Sequence, residues 1–198
     1  MPRQLVLFVR APALGRGKRR LAGEIGDLAA VRFERAMIAL LLRRLADQRW
    51  KLRVAVTPDR ASRRAHRWRR GIEVCGQRDG DLGQRMRRAL VGVSPGPVVL
   101  IGADIPALQA RDIAAAFRLL GARDLVFGPA ADGGFWLVGA RRRPLFADLF
   151  AAVRWSGPYA LADTLSGLPR RATVGFVTTL EDVDNSDAYR RRRPRRGF

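Results

Sequence analysis

Pro97-Val98-Val99-Leu100-Ile101-Gly102-Ala103-Asp104-Ile105-Pro106 is the stretch whose reading decides the fold. Four β-favouring apolar residues lead into a glycine, a carboxylate and a proline. An apolar run bounded on both sides by turn residues reads as a strand buried on both faces of a parallel sheet. Gly102 lets the backbone pass close to a neighbour, and Pro106 ends the strand and stiffens the loop. Asp104 then falls just past the carboxyl end of a central strand, where open α/β sheets place their ligands. A carboxylate there is either a metal ligand or the N-cap of the following helix.

The segments around this strand alternate in type. Gln4–Val9, Leu52–Thr57, Ile72–Cys75, Asp124–Phe127 and Thr173–Phe176 read as strands. Leu28–Gln48, the helix running into Val91, Ala110–Leu120 and Tyr159–Gly167 read as helices, with Ala61–Arg70 a basic helical segment and Leu145–Ala152 a further candidate. Strands alternating with helices over the first two thirds of the chain imply a mostly parallel sheet. Asp132-Gly133-Gly134 between two apolar runs suits a hairpin, which makes the sheet mixed. At 198 residues the chain is one domain with room for a substantial core. That domain is expected over 1–189, with residues 190–198 a basic, disordered tail.

Composition removes several classes of chemistry. Cys75 and His66 are the single residues of their types. A disulfide framework, a Cys/His zinc site and a Ser-His-Asp site with a spare His are thereby excluded. His66, among arginines, reads as a surface residue, and Cys75 as a buried, inert thiol. The net charge of +20 is nearly all arginine, since only Lys18 and Lys51 are lysines. Such charge fits nucleic acid, an anionic surface or a phosphorylated substrate. It also fits the Arg- and Ala-rich composition of a GC-rich genome. The arginines are scattered and lack the aromatic interleaving of single-strand binders. The first apolar run, Leu5–Val9, is too short for a signal peptide, and no run approaches the roughly 20 residues of a membrane span. A cytoplasmic protein is expected.

Three loops carry candidate chemistry. Arg10-Ala11-Pro12-Ala13-Leu14-Gly15-Arg16-Gly17-Lys18-Arg19-Arg20-Leu21 follows the first strand and holds five basic side chains. A basic, glycine-bearing loop in that position either cradles phosphates, as in α/β folds, or is a solvated basic turn, and its spacing is neither a Walker A loop nor Gly-x-Gly-x-x-Gly. Asp81, with Gln84 three residues on, forms a capping-box pattern at the start of a helix, and Gly80 and Gly83 allow close approach to a ligand. Glu181-Asp182-Val183-Asp184 and Asp187 make an acidic cluster in a basic protein. It is a second source of metal ligands or an acidic turn before a short helix.

Together these stretches resemble a known family. They are the basic loop ending in Lys18-Arg19-Arg20-Leu21, Asp81-Leu82-Gly83-Gln84-Arg85-Met86, Gly102-Ala103-Asp104-Ile105-Pro106, Gly128-Pro129-Ala130-Ala131-Asp132-Gly133-Gly134, Trp155-Ser156 and Asp182-Val183-Asp184. In this order they look like the bacterial DUF2064 group, also called the rSAM/selenodomain-associated transferase 1 family. The resemblance implies a single-domain GT-A (Rossmann-like) three-layer α/β sandwich of the nucleotide-diphospho-sugar transferases, with a mostly parallel, mixed sheet. It implies that Arg10, Gly15, Lys18 and Arg20 bind nucleotide phosphates and that Asp81, Leu82 and Gly83 lie by the nucleoside. It implies Asp104 and Asp184 as ligands of Mg²⁺ or Mn²⁺. Asp132, Gly133 and Gly134 are implied to face the acceptor or the transferred group, with Trp155 on the acceptor side.

The sequence departs from the family pattern at Arg19, Ile105, Phe135-Trp136, Gly157 and Asn185, and none of these removes a charged group needed for metal or phosphate. The function expected is metal-dependent glycosyl transfer from a nucleotide-diphospho-sugar to a small-molecule acceptor. Nucleotidyl transfer from a nucleoside triphosphate to a phosphorylated small molecule is the alternative, because the motif has a lone Asp104 rather than Asp-x-Asp. A basic nucleic-acid-binding protein explains the charge but not Asp104, the Asp-Gly-Gly turn or the acidic loop.

Overall fold

A computed structural model of the chain describes residues 1–67, 71–141, 149–183 and 189–190, the side chains of 64–67 standing outside that description. Strand β1 (Gln4–Arg10) sends alternate side chains to opposite faces. Leu5, Leu7 and Val9 enter one core, and Val6 enters the other. β4 (Val98–Gly102) does the same, with Val99 and Ile101 on the first side and Val98 and Leu100 on the second. All four are at most 4% exposed, as the unbroken apolar run predicts. Burying each such side chain contributes about 1.5–3 kcal/mol, so β4 is held between two layers.

Among the described residues, β1, β4, β2 (Lys51–Thr57), β3 (Glu73–Gly76), β5 (Leu125–Pro129), β6 (Phe135–Ala140) and β7 (Val174–Phe176) form one sheet. Its order is β3-β2-β1-β4-β6-β5-β7. β1, β2, β3 and β4 are parallel, β6 is antiparallel to both β4 and β5, and β7 is parallel to β5. The expected hairpin is therefore the β5–β6 connection, and it makes the sheet mixed. Helices α2 (Asp27–Arg44) and α4 (Ala110–Leu119) cover one face through Met37, Ile38, Leu41, Ile113 and Phe117. On the other face lies α3 (Leu82–Val91), through Met86 and Leu90, with α5 (Ala160–Ser166) packing there through Leu161 and Leu165. The result is the three-layer α/β sandwich.

Some local expectations change. Asp104 is not a cap: α4 begins after Gln109, whose backbone N–H donates to the Asp112 carboxylate at 2.8 Å. The end of the basic loop is helical, since α1 occupies Arg19–Ile25. Ala61–Arg70 is a 3₁₀ segment over Asp59–Arg67 as far as the structure describes it. The expected helix at Leu145–Ala152 falls largely outside the described residues, as do the side chain of His66, Asp184, Asn185 and the tail from 191 onward. Cys75 is half-buried, donates to the Val54 carbonyl, and has its thiol pushed up by burial, which keeps it inert. Among the described residues, no helix is long and apolar enough to cross a membrane.

Candidate functional site

Asp104 stands beyond the end of β4, in the short loop that Arg44 braces from α2. The Arg44 guanidinium donates to the carbonyls of Pro106 and Leu108 at 2.8 and 2.7 Å. Ile105 and Leu108 plug the core beneath the loop. The Asp104 side chain keeps 38% of its surface exposed, and its Oδ2 accepts from Lys18 Nζ at 2.9 Å. Thus the tip of the basic loop after β1 and the carboxylate after β4 meet over two neighbouring parallel strands, at the edge where such sheets bind ligands.

The C-terminal segment reaches the same point. Beyond β7, Val177 N–H bonds to Phe127 O, Leu180 N–H to Pro129 O, and Val183 N–H to Asp104 O at 3.1 Å. Trp136 Nε1–H holds the segment through Thr178 O. The described start of the acidic cluster, Glu181 to Val183, is thereby anchored on the backbone of Asp104, and Asp182 lines a cleft together with it.

Two clefts among the described residues share Gly102 and Asp104. The first, of about 410 Å³, is lined by Arg10, Arg16, Lys18 and Arg19 against the carboxylates Glu34 and Asp104, over an apolar floor that includes Phe8, Phe33 and Met37. Its excess of fixed positive charge suits a polyphosphate. The second, of about 200 Å³, is lined by Asp104, Asp132 and Asp182 with Leu82, Met86, Phe135 and Trp155. Its aromatic wall is tight: Phe135 and Trp155 lie 6.2 Å apart between centroids, and Phe150 stands 5.9 Å from Trp155.

The residues singled out in the sequence divide between these clefts. Arg10 and Lys18 line the first; Asp132, Gly134, Leu82 and Trp155 line the second; Asp104 lines both. Gly15 and Arg20 are exposed on the loop and on α1, outside both linings. Asp81 caps α3, accepting from Gln84 N–H at 2.8 Å while Gln84 Oε1 accepts from Asp81 N–H, so the capping box forms as expected. Gly83 is buried against Phe150 and Trp155. Gly133 sits behind the second cleft, where its carbonyl accepts from Leu161 N–H. The motif's remaining cation, Arg85, donates to Oε1 of the buried Gln77, whose Nε2 ties together the carbonyls of Val9 and Ala55.

Glu34 is a site residue that no sequence motif marks, since by helical period it falls on the polar side of α2. Its Oε1 accepts from Lys18 N–H at 3.2 Å, and a Cβ at Gly17 would stand 2.5 Å from that oxygen. Gly17 thus lets the Glu34 carboxylate lie close against the loop. Burial pushes the Glu34 carboxyl above its ordinary value. The Lys18 N–H and the charges of Lys18 and Arg10 oppose that push, and the charge of Asp104 adds to it. A carboxyl raised on folding contributes stability below its unfolded value and loses it as the pH rises through the folded value. Glu34→Gln keeps an acceptor for Lys18 N–H and removes the titration. The melting temperature of the variant minus that of the wild type is expected to be more positive at pH 7 than at pH 4, and thermal melts at the two pH values check it.

The donor chemistry at Asp104 fits a hard divalent cation. Mg²⁺ and Mn²⁺ prefer carboxylate oxygens and take one or two of them, leaving other positions to phosphates and water. Asp104 supplies an exposed carboxylate oxygen between the phosphate-suited cleft and the acidic segment. Among the described residues, no three His, Cys, Asp or Glu side chains group so as to hold a metal ion.

The comparisons with known proteins follow this geometry. A structure from Desulfovibrio desulfuricans G20, assigned by inference as a nucleotide-diphospho-sugar transferase, superposes with a TM-score of 0.87 at 28% identity, covering 93% of this chain and 84% of that one. A CMP:2-keto-3-deoxy-manno-octonic acid synthetase complexed with CTP shares the fold at a TM-score of 0.62 and 15% identity, with 96% of each chain covered. Glucosyl-3-phosphoglycerate synthase from Mycobacterium tuberculosis, in complex with Mn²⁺, UDP and glucosyl-3-phosphoglycerate, shares it at 0.55 and 15% identity, over 91% of this chain and 70% of that one. The fold is therefore the GT-A-like fold of nucleotide-sugar transferases. A search of the curated proteins gives no match. The family model described as "Uncharacterized protein conserved in bacteria (DUF2064)" matches residues 40–157, a stretch that holds α3, Asp104, the Asp-Gly-Gly turn and Trp155. The chain belongs to the DUF2064 family.

Proposed function

We propose that this chain is a transferase that moves a sugar from a nucleotide-diphospho-sugar to a small-molecule acceptor with the help of Mg²⁺ or Mn²⁺. The observation that carries the reading is the position of Asp104, one exposed carboxylate shared by a cationic cleft and an aromatic, acidic one. The nucleotide-diphospho-sugar transferase assignment of the Desulfovibrio neighbour supports it. In this reading Arg10, Lys18 and Arg20 hold the diphosphate, with Gly15 letting the loop close on it. Asp81, Leu82 and Gly83 border the nucleoside. Asp104 and Asp184 hold the metal, and the anchoring of Val183 on Asp104 supports that pairing. The cation supplies positive charge to the diphosphate leaving group. Lys18 adds a second positive charge at the same place, where negative charge develops. Asp132 orients the acceptor hydroxyl and accepts its proton, while Gly133, Gly134 and Trp155 shape the acceptor's seat. A cytoplasmic location goes with soluble nucleotide-sugar donors.

Nucleotidyl transfer is the second reading, favoured by the lone carboxylate in Gly102-Ala103-Asp104-Ile105 and by the fold shared with a CTP-bound synthetase. A thermal-shift panel separates the two. Nucleoside triphosphates and nucleotide-diphospho-sugars are each tested with Mg²⁺, Mn²⁺ or EDTA. A ligand that binds only the folded state raises the melting temperature by mass action, by about 2.7 kcal/mol of stability at a hundredfold excess over Kd. The expected result is metal-dependent stabilisation by one diphospho-sugar. Stabilisation by a triphosphate alone turns the reading to nucleotidyl transfer. A response to DNA or RNA without any nucleotide response removes the enzyme reading.

A further inference from the structure

The described lining of the second cleft holds acidic and no basic side chains, against the balance of the molecule. The chain is +20, and four cationic side chains line the first cleft. The second nevertheless brings Asp104 and Asp132 together with Asp182 on the same wall, and none of the described residues lining it is basic. Lys18, from the first cleft, pairs with Asp104 at 2.9 Å, so the decisive carboxylate is Asp132, and the arginines nearest in sequence to the lining are engaged elsewhere. Arg154, beside Trp155, is bound by Asp163 at 2.8 and 2.9 Å and lies 4.1 Å from the Tyr159 ring centroid. Arg85, beside Met86, donates to Gln77 Oε1 and to the Asp81 carbonyl. The rest of the wall is apolar, with Phe135 and Trp155 set edge to face at 67°.

We infer that the second cleft takes an acceptor without an anionic group: a hydroxyl-bearing molecule, neutral or cationic, whose body lies on Phe135 and Trp155. This rests on the transfer reaction proposed above and names its acceptor class. A phosphate or carboxylate entering here faces the Asp132 carboxylate, with no basic side chain among the described lining residues to offset it. A positive group gains from the same carboxylate and from the aromatic faces. The step balances for such an acceptor. Its hydroxyl oxygen forms a bond to the anomeric carbon, and the bond from that carbon to the diphosphate oxygen breaks. The electron pair leaves on the nucleoside diphosphate, and the hydroxyl proton passes to Asp132. Nucleotidyl transfer instead brings a substrate phosphate into this cleft as the nucleophile, so the charge of the cleft also bears on the choice between the two readings.

The test is collisional quenching of Trp155 in the full chain without nucleotide, with the Trp155→Phe variant subtracted to isolate its emission. With each constant divided by its value for free N-acetyltryptophanamide, caesium is expected to quench Trp155 about twofold or more better than iodide, against the direction set by the net charge. Asp132→Asn is expected to move the ratio toward iodide. In turnover, a dephosphorylated acceptor is expected to exceed its phosphorylated form by about tenfold or more in kcat/KM. Iodide quenching Trp155 as well as caesium overturns the inference, and so does a phosphorylated acceptor that outpaces its parent alcohol. A diphospho-sugar that gives no metal-dependent thermal shift counts against the proposed donor, and the quenching ratio is read independently of it.

Discussion

Asp104→Asn is expected to abolish the metal dependence of nucleotide binding and to lower the rate of transfer by about 10³-fold or more. Electrostatic groups placed where charge develops are typically worth about 10²–10³-fold each, and a metal ligand controls the largest such charge in its site. Asparagine keeps the shape of the side chain and an oxygen to face Lys18. It removes the negative charge that stands 2.9 Å from the Lys18 ammonium and beside four cationic side chains. The substitution therefore has two effects of opposite sign. With Mg²⁺ or Mn²⁺ present, affinity for the nucleotide falls because the cation loses its protein ligand. With EDTA, affinity for the same nucleotide rises above that of the wild type, because the cleft is one unit more positive. Calorimetric titration of a nucleoside diphosphate under the two conditions reads both effects. Metal dependence that survives the substitution removes Asp104 from the metal site. A loss of affinity under both conditions assigns it to the nucleotide rather than the metal.

Much of this arrangement is legible in the sequence where local pattern and burial agree. Val98–Ile101 has no polar residue because both faces are covered, and it emerges as a strand at the centre of the sheet. Asp81 and Gln84 satisfy each other's backbone donors within one turn, so the capping box needs no tertiary information. Asp132-Gly133-Gly134 does connect two antiparallel strands. The remainder depends on contacts distant in sequence. Glu34 lies on the polar side of an amphipathic helix by periodicity, and only the path of the basic loop over α2 buries it. Asp104 has the spacing of a cap, but Gln109 and Asp112 close α4 instead, which leaves the Asp104 carboxylate to Lys18. α1 is seven residues with Gly23 inside it and no side-chain cap, too short for an apolar period to register. The approach of Val183 to Asp104 follows from the run of the chain past β7 along β5, which no local signal encodes.

Gly133→Ala is expected to cost about 2–4 kcal/mol of stability and to damage the acceptor side of the site while sparing the diphosphate side. Gly133 has φ +87°, a left-handed conformation that side chains other than glycine adopt at a cost of about 1–3 kcal/mol. A Cβ there would also stand 2.2 Å from the carbonyl oxygen of Pro158, a backbone atom that cannot rotate away. Relief requires the turn or the Pro158 segment to move. The two are joined by the bond from Leu161 N–H to Gly133 O, so movement of either shifts Asp132 relative to Trp155. The cations assigned to the diphosphate, Arg10 and Lys18, line the first cleft and share no residue with this contact, so affinity for the diphosphate is expected to hold. For a chain of this size the stability loss is a drop of about 5–15 °C in melting temperature. Gly134→Ala is the control: its Cβ would come no nearer than 3.1 Å to a side-chain oxygen of Asp132, which can give way. Thermal melts of both variants, with nucleotide titrations and acceptor KM values, test the argument. A Gly133→Ala protein as stable as Gly134→Ala would show that the Asp-Gly-Gly turn is not braced by Pro158. A joint loss of nucleotide affinity and acceptor KM would show that the two clefts are mechanically one.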